Sequence, residues 1–207
     1  MSPEPRFFVA RHGETVFNAA GRLQGDCAHT PLTSRGYRQA DQIGQVLRSH
    51  LGARPSVALW ASPTGRTLQT LAIVAERLEL DWHAARTDPR LREIDIGEWS
   101  GAYHAELAER FGPVIDSETK LFSHCPPGGE WYDQVANRLR AWIVDVTGDS
   151  QDMLVITHGM SGRVMRGLLT DAPIDARCGA PLAPSLPQGS IVEISGRVEQ
   201  VLYSPTE

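Results

Sequence analysis

The sequence predicts an α/β fold of three layers, with a doubly wound, mostly parallel sheet, helices on both of its faces and an antiparallel C-terminal edge. Continuous apolar runs at 6–11, 56–62 and 153–157 are typical of strands buried on both faces of a parallel sheet. Helical segments separate these runs, and such alternation implies right-handed parallel crossovers. The run 190–203 alternates apolar and polar residues, so we expect an antiparallel hairpin that turns at 195–196.

Three segments carry apolar residues at helical spacing on one face, and they span about 34–52, 63–80 and 131–147. The first has an N-cap candidate in Thr33 or Ser34, and Gly52 provides its stop. We interpret the apolar stripe of each helix as core packing.

The remaining segments are less regular. A further short strand is expected near 82–86, before the segment that carries Glu93. Residues 112–130 are rich in Pro and Gly, which predicts a loop or lid, and the wider segment 100–131 is expected to shape the substrate pocket. With 207 residues, 41% of them hydrophobic, the chain suits a single domain over 1–207.

Composition favours a small ligand over a macromolecule. The formal net charge of −5 argues against nucleic acid or an anionic membrane surface as a partner. Three cysteines without paired spacing, a start that lacks a signal-like apolar run and the lack of a membrane-length apolar segment predict a cytoplasmic protein. The seven histidines show no HExxH and no zinc-finger spacing, so we expect no metal and no other cofactor. The oligomeric state is not predicted.

Charged and polar side chains follow several of the predicted strands. Arg11 and His12 end the first, Arg66 follows the second, and His158 follows the strand 153–157. Glu93 lies on the segment after the expected third strand. Because ligands of open parallel sheets bind beyond the carboxyl ends of the strands, we expect these side chains to meet at one site.

Two arginines, two histidines and one carboxylate suit phosphate chemistry. Guanidinium groups make bidentate hydrogen bonds to tetrahedral oxyanions, so the arginines and a charged imidazole would take the place of Mg²⁺. A neutral imidazole is a competent nucleophile at neutral pH, and its attack would give a phosphohistidine that water hydrolyses. Glu93 is the candidate acid for the leaving oxygen and the candidate base for the water. This chemistry predicts activity in the presence of EDTA.

The motifs around these residues follow one another from residue 9 to about 166: "ARHGETVFN", "GRLQG", "PLTSRGYRQA", "SPTGRTLQT", "LREIDIGEWSG", "PPGGE" and "VITHGMSGRV". They resemble the motifs of the histidine phosphatases, also called the phosphoglycerate mutase-like superfamily. The resemblance implies that His12 is the phosphorylated nucleophile and that Glu93 is the proton donor. It also implies that Arg11, Arg66 and His158 complete the phosphate pocket.

The same resemblance implies further contacts to the phosphate or the substrate. They come from the side chains of Asn18 and Gln24 and from the backbone of Gly25 and Gly159. It also implies one histidine phosphatase domain with the phosphoglycerate mutase-like fold over 1–207.

The resemblance leaves the reaction open. Phosphoglycerate mutases that depend on a bisphosphate cofactor generally have a longer segment between Glu93 and His158 and a different run after Glu93, where this chain has "EWSGAYHA". Both departures favour a metal-independent phosphatase acting on a small phosphorylated metabolite. The alternatives are the mutase and a non-catalytic phosphate-binding regulatory module. The presence of His12 together with Glu93 and His158 argues against the last.

Several other residues are interpreted as structural. We expect Glu14 to form a salt bridge or a helix N-terminal contact, and Trp99 to pack against the loop of Glu93. His104 has no strand-end position, and Lys120 is interpreted as a solvated side chain rather than a contact to a substrate carboxylate. Four aromatic residues are expected either to line an apolar wall of the pocket or to lie in the core: Tyr103, Phe111, Phe122 and Trp131.

Overall fold

The computed structural model describes residues 4–148 and 151–206. Its strands are β1 Phe7–Arg11, β2 Val57–Ala61, β3 Arg86–Thr87, β4 Asp152–Thr157, β5 Ile174–Asp175, β6 Ala180–Pro181, β7 Ile191–Ser195 and β8 Val198–Tyr203. Within the described residues, six of them form one sheet in the order β3-β2-β4-β1-β7-β8, and β5 and β6 form a separate pair. The four strands on one side of this sheet are parallel, whereas β7 pairs antiparallel with β1 and β8 with β7. The predicted mixed sheet with an antiparallel C-terminal edge is confirmed.

Helices cover both faces of the sheet, as predicted. They are α1 Val16–Ala19, α2 Ser34–Leu51, α3 Gly65–Leu78, α4 His104–Phe111, α5 Tyr132–Val146 and α6 Met160–Leu169. Successive strand residues point to opposite faces, so Phe8 and Ala10 of β1 join a core with α2 and α3. Phe7 and Val9 join the other core, with α5 and α6. A strand buried on both faces therefore reads as one continuous apolar run.

The three predicted helices form close to their predicted bounds. Helix α2 begins after Thr33, whose hydroxyl accepts a hydrogen bond from the backbone N–H of Gly36 at 3.1 Å. It ends at Gly52, which has a φ of 81°. A left-handed φ of this kind suits glycine, because a Cβ would make the conformation unfavourable.

Two local predictions are displaced along the chain. The third strand forms at the end of the expected range, as β3 Arg86–Thr87, whereas Trp82–Ala84 form a 3-10 helix. The 3-10 turn forms because the Asp81 carboxylate accepts a hydrogen bond from the backbone N–H of His83 at 2.9 Å. The C-terminal hairpin turns at 196–197, one residue later than predicted, and both of these residues have positive φ.

The segment expected to be a loop or lid contains little regular structure. An isolated bridge joins Ile115 to Phe122, and the hydroxyl of Tyr132 on α5 accepts a hydrogen bond from the backbone N–H of Phe122 at 2.9 Å. Helix α4 precedes this segment and was not predicted. None of the described helices has the length and apolar character needed to cross a membrane.

Candidate active site

Strands β1 and β4 bring the two histidines together. The strands are parallel neighbours in which Arg11 pairs with Thr157, and the backbone N–H of His12 donates to the Thr157 carbonyl at 3.0 Å. The next residue of each strand end is therefore a histidine, and the centroids of the His12 and His158 rings lie 5.3 Å apart in an edge-to-face arrangement. Both side chains are buried. The strand-end rule thus predicted their meeting from sequence.

Arg66, in the first turn of α3, is fully buried beneath the histidines. Its Nε–H donates to Nδ1 of His158 at 3.2 Å. Its two Nη1–H groups face the Cys27 carbonyl at 2.6 Å and the Thr30 hydroxyl at 3.0 Å, and Nη2 donates to the Gly25 carbonyl at 2.7 Å. One N–H of its five is left for a ligand, fewer than the bidentate contact expected from the sequence. Burial lowers the pKa of Arg66 to about 10, which keeps it charged at neutral pH.

The hydrogen bonds assign the two histidines opposite roles. Nδ1 of His12 lies 2.7 Å from the carbonyl oxygen of Gly13, which only accepts, so Nδ1 carries the proton and Nε2 has the free lone pair. Nδ1 of His158 accepts from Arg66, so its Nε2 carries the proton. That Nε2 is buried and has no hydrogen-bond partner.

Both histidines are neutral in this environment. Burial, and next the charge of Arg66, hold the pKa of His12 and of His158 well below the ordinary value of 6.5. The charged imidazole that was expected to help replace a metal ion is therefore absent from the unliganded protein at neutral pH. The positive charge of the site comes from arginines, Arg66 and Arg11 among them.

Glu93 lies in the loop after the 3-10 helix Pro89–Leu91, and its carboxylate sits at the N-terminus of α6. Oε2 accepts from the backbone N–H of Met160 at 3.0 Å, and Oε1 accepts from that of Ser161 at 2.8 Å. Oε1 also accepts from the backbone N–H of Ile94 at 3.0 Å. These bonds join the loop of Glu93 to the helix that follows His158.

Gly159 leaves room for the side chains of Arg11 and Glu93 to approach its backbone. A Cβ added there would lie 3.2 Å from Nη2 of Arg11 and 3.5 Å from Oε2 of Glu93. Glycine is needed at this position because the guanidinium and the carboxylate approach the backbone from the site. Arg11 itself donates from Nη1 to the Leu186 carbonyl at 2.5 Å, and its buried Nε has no partner.

Another arginine, Arg138, holds the backbone of the Glu93 loop. Arg138 on α5 donates from Nη1 to the carbonyls of Arg90 at 2.5 Å and Arg92 at 2.9 Å, and from Nη2 to that of Glu93 at 3.2 Å. Its Nε and Nη2 each lie 2.9 Å from a carboxylate oxygen of Glu130. We call this arrangement of Arg138, Glu130 and the three carbonyls the loop clamp. No sequence motif predicted this arrangement, although "PPGGE" contains Glu130.

Asn18 and Gln24 reach the site as the resemblance implied. The hydroxyl of Thr15, the N-cap of α1, lies 2.9 Å from Oδ1 of Asn18 and 3.0 Å from Oε1 of Gln24. Oδ1 of Asn18 also accepts the backbone N–H of Thr15 at 3.1 Å. Nε2 of Gln24 donates to Oδ1 of Asn18 at 3.4 Å, so the N–H groups left for a ligand are those of the Asn18 amide and the second N–H of Gln24.

These residues surround a cavity of about 160 Å³, the site cavity. Its polar lining includes Arg11, His12 and Glu93, with Gly25 and Gly159 beside them. Apolar side chains form another part of the wall: Leu23, Ile94, Ile96, Ile115, Phe122 and Met160. Arg66 and His158 are buried and do not line this cavity.

Two residues of the site cavity were not predicted. Arg22 lines it, two positions before Gln24 in the quoted motif "GRLQG", so the motif carried a signal for it. His104 also lines the cavity, which corrects its interpretation as a residue without a functional position. Helix α4 places it there, and α4 was not predicted. Of the four aromatic residues left open, Phe122 lines the cavity, whereas Phe111 packs against Trp99.

The structural interpretations of Glu14 and Trp99 are confirmed. The Glu14 carboxylate accepts from the hydroxyl of Thr33, the N-cap of α2, at 2.7 Å and faces Arg35 at 3.5 Å. Trp99 is buried in the segment after Glu93 and packs against Phe122. Within residues 4–148 and 151–206, no three His, Cys, Asp or Glu side chains are grouped as metal ligands.

Comparison with known proteins identifies the family. Residues 7–201 match the model of the histidine phosphatase superfamily (branch 1). The chain therefore belongs to the histidine phosphatase superfamily, as its motifs indicated.

The proteins similar to this chain carry the names of both mutases and phosphatases. The chain is 28% identical over 212 residues to the probable phosphoglycerate mutase GpmB of Proteus mirabilis, with 94% of each chain covered. It is 30% identical over 172 residues to the adenosylcobalamin/alpha-ribazole phosphatase of Salmonella typhimurium, with 80% of each covered. Among solved structures, mycobacterial glucosyl-3-phosphoglycerate phosphatase with VO3 superposes with a TM-score of 0.75 at 26% identity, over 95% of this chain and 96% of that one. The family thus includes phosphatases and proteins named as mutases.

Proposed function

We propose that the protein is a metal-independent phosphatase that hydrolyses a small phosphate monoester through a phosphohistidine on His12. The observation that carries the proposal is the hydrogen bond from Nδ1 of His12 to the Gly13 carbonyl, which leaves the Nε2 lone pair free. A neutral imidazole in this tautomer is a nucleophile at neutral pH and needs no base beside it.

Charge on the phosphoryl group would be balanced by groups that are already in place. The Nε2–H of His158, the remaining N–H of Arg66 and the guanidinium of Arg11 are donors for the equatorial oxygens. Two arginines, the buried Arg66 and the half-buried Arg11, supply the positive charge that a Mg²⁺ ion supplies in many phosphoryl-transfer enzymes. This donor set supports a mechanism without a metal.

The two steps balance as follows. The lone pair of His12 Nε2 forms the N–P bond while the P–O bond to the alcohol breaks, and the leaving oxygen takes a proton from Glu93. The water oxygen then forms a new bond to phosphorus while the N–P bond breaks, and a proton of the water is transferred to Glu93. The position of Glu93 beside Gly159 and Arg11 supports this role.

We propose a single domain over 1–207 in which 100–131 determines specificity, because Ile115 and Phe122 of this segment line the site cavity. The substrate is then a small phosphorylated metabolite. Three free cysteines among the described residues support a reducing compartment such as the cytoplasm.

A phosphoglycerate mutase is the second candidate, and the similarity to GpmB over 94% of both chains favours it. A mutase must retain the phosphoryl group after the alcohol leaves. An assay with 3-phosphoglycerate and catalytic 2,3-bisphosphoglycerate separates the two reactions, since isomerisation faster than phosphate release would establish the mutase. A non-catalytic phosphate-binding module would give neither product.

The decisive experiment is a panel of phosphomonoesters assayed with EDTA throughout. We expect the wild type to hydrolyse at least one of them and His12→Ala to lose about 10³-fold or more of the activity. His83→Ala, an exposed histidine remote from the site cavity, is the matched control. Activity that survives His12→Ala, or that EDTA abolishes, would refute the proposal.

The role of Glu93 has its own test. Glu93→Gln is expected to slow the hydrolysis of alkyl phosphates by about 10²–10⁴-fold, the range of general acid catalysis. Nitrophenyl phosphate should be affected far less, because its leaving group needs little protonation. Equal losses with both substrates would contradict an acid role.

A further inference from the structure

A second and larger cavity lies next to the site cavity and shares Arg11 with it. This outer cavity has a volume of about 550 Å³. It is lined by Arg11, Arg35, Gln39, Lys120, Ser185, Leu186, Pro187, Gln188, Pro205 and Thr206. Arg11 is the one residue that lines both cavities.

The outer cavity is cationic in a protein of net charge −5. Three of its lining residues carry a positive charge, namely Arg11, Arg35 and Lys120, and among residues 4–148 and 151–206 no Asp or Glu lines it. Arg35 is paired with Oε2 of Glu14 at 3.5 Å, and Oε1 of that carboxylate accepts from the hydroxyl of the α2 N-cap at 2.7 Å. A concave surface lined by one sign of charge concentrates ions of the opposite sign.

Gln39 adds an amide donor to these charges. The residue is only 8% exposed, and its Oε1 accepts the backbone N–H of Glu14 at 2.7 Å. Within the described residues its Nε2 has no acceptor, so the amide N–H₂ group is left for the cavity it lines. Gly189 packs closely on it, since a Cβ at Gly189 would lie 2.6 Å from the Gln39 Cβ. The donor is therefore held in place.

The backbone of Lys120 is fixed, whereas its side chain is exposed. The residue has a φ of 58° at the end of a turn in which its backbone N–H donates to the Asp116 carbonyl at 3.0 Å. The Asp116 carboxylate accepts the backbone N–H of Thr119 at 2.7 Å and so fixes the turn. Left-handed backbone is unfavourable for lysine, and the surrounding turn maintains it.

We propose that the outer cavity is a second anion-binding site, which accepts a phosphate or carboxylate group, and that Arg11 couples it to the site cavity. The guanidinium of Arg11 faces both cavities, and an anion in the outer cavity would share its charge with the phosphoryl group. The coupling rests on the proposed function, whereas anion binding does not. The anion is either a second acidic group of the substrate or a free anion such as the product phosphate.

Binding is tested by calorimetric titration of inorganic phosphate at low ionic strength. We expect two sites in the wild type, and about tenfold or greater weakening of one of them in the double variant Arg35→Met with Lys120→Met. Arg38→Met is the control, because Arg38 is exposed on the same helix and does not line the outer cavity. Two sites of unchanged affinity in the double variant, or one site in the wild type, would overturn the proposal.

Kinetics then separate the two sources of the anion. If the substrate carries the second acidic group, the double variant raises KM about tenfold for a phosphoglycerate but not for glycerol phosphate, which lacks the carboxylate. If the anion is free, neither KM changes, and phosphate inhibition of nitrophenyl phosphate hydrolysis is mixed in the wild type and competitive in the double variant. Unchanged KM values together with purely competitive inhibition in the wild type would overturn the coupling. Absence of any hydrolysis would refute the proposed function, and the titration would still report on the outer cavity.

Discussion

Replacing Arg138 by Met is expected to destabilise the protein and to damage its handling of poor leaving groups. The substitution keeps the stem of the side chain and removes every bond of the loop clamp, which holds the carbonyls of Arg90, Arg92 and Glu93. It also leaves the Glu130 carboxylate without its partner.

The size of the effect follows from burial. Breaking a fully buried ion pair by removing one partner costs about 3–5 kcal/mol, and an exposed pair is worth about 0–1 kcal/mol. The side chains of Arg138 and Glu130 are 17% and 27% exposed, so the pair lies between these limits but nearer the buried one. We expect the free energy of unfolding to fall by about 2–3 kcal/mol at neutral pH.

The loss of stability in Arg138→Met must depend on pH, and the pKa of Glu130 gives the direction of that dependence. Burial alone would raise the pKa of Glu130, but the hydrogen bonds and charge of Arg138 outweigh it and hold the pKa below its ordinary value. A depressed carboxyl pKa contributes stability above the pKa of the unfolded chain, and that stability is lost as the pH falls through the folded value. The difference in stability between the wild type and Arg138→Met should therefore narrow in acid without closing, because the bonds of Arg138 to the three carbonyls do not titrate.

Two assays test this reasoning. Urea titrations at neutral and acidic pH measure the free energy of unfolding, with Arg140→Met as control, since Arg140 is exposed on the same helix and bonds only Asn137 among the described residues. Steady-state kinetics compare alkyl phosphates with nitrophenyl phosphate, and the defect should be larger for the alkyl esters because the Glu93 loop is displaced. A stability loss that is equal at both pH values would refute the argument from Glu130. Equal kinetic defects would refute the link to Glu93.

Three more expectations follow from the buried groups of the site. Because the pKa values of His12 and His158 are depressed, the unfolded chain binds more protons than the folded protein below about pH 6.5. The free energy of unfolding should therefore fall by up to about 2.7 kcal/mol for each unit by which the pH is lowered there. Replacing both histidines by Gln should reduce the pH dependence of the free energy of unfolding, measured by urea titration between about pH 5 and pH 7. Gly159→Ala places a Cβ 3.2 Å from the Arg11 guanidinium, so kcat/KM should fall about 100-fold while thermal unfolding changes little, and wild-type kinetics would contradict the crowding. Arg66→Lys cannot reproduce four directed N–H bonds, so both stability and kcat/KM should fall, and an active, stable variant would contradict its bracing role.

The sequence predicted the parts of the fold that depend on local pattern. Strands β1, β2 and β4 are buried on both faces, so their continuous apolar runs were sufficient. Helix α6 was missed because "GMSGRVMRGLL" contains three glycines and two arginines, a poor pattern for a buried helix. Tertiary contacts stabilise it instead: Glu93 receives its first N–H groups, and Arg163 and Arg166 reach carbonyls outside the helix.

The sequence predicted which residues form the site but not the hydrogen bonds that these residues make. The strand-end rule brought Arg11, His12 and His158 to one edge of the sheet, because parallel strands end together. No sequence rule says which imidazole nitrogen carries a proton, since that depends on the folded geometry: Nδ1 of His12 faces the carbonyl of Gly13, and Nδ1 of His158 accepts from Arg66 on α3. The loop clamp could not be predicted either, because the backbone carbonyl groups that Arg138 contacts carry no sequence signal.

The bonds of Arg66 explain why a lysine could not serve in its place. A lysine would supply the same charge, but the Nε–H of Arg66 also occupies Nδ1 of His158 and thereby places the proton of that neutral ring on Nε2. The donor available to a phosphoryl oxygen thus exists because of the arginine behind it. Since the pKa of His158 is held far below neutrality, the ring donates a hydrogen bond without adding a third positive charge next to His12. Burial and the charges of Arg66 and Arg11 hold the pKa of His12 well below its ordinary value and keep the nucleophile neutral, and a neutral Nε2 is what attack on phosphorus requires.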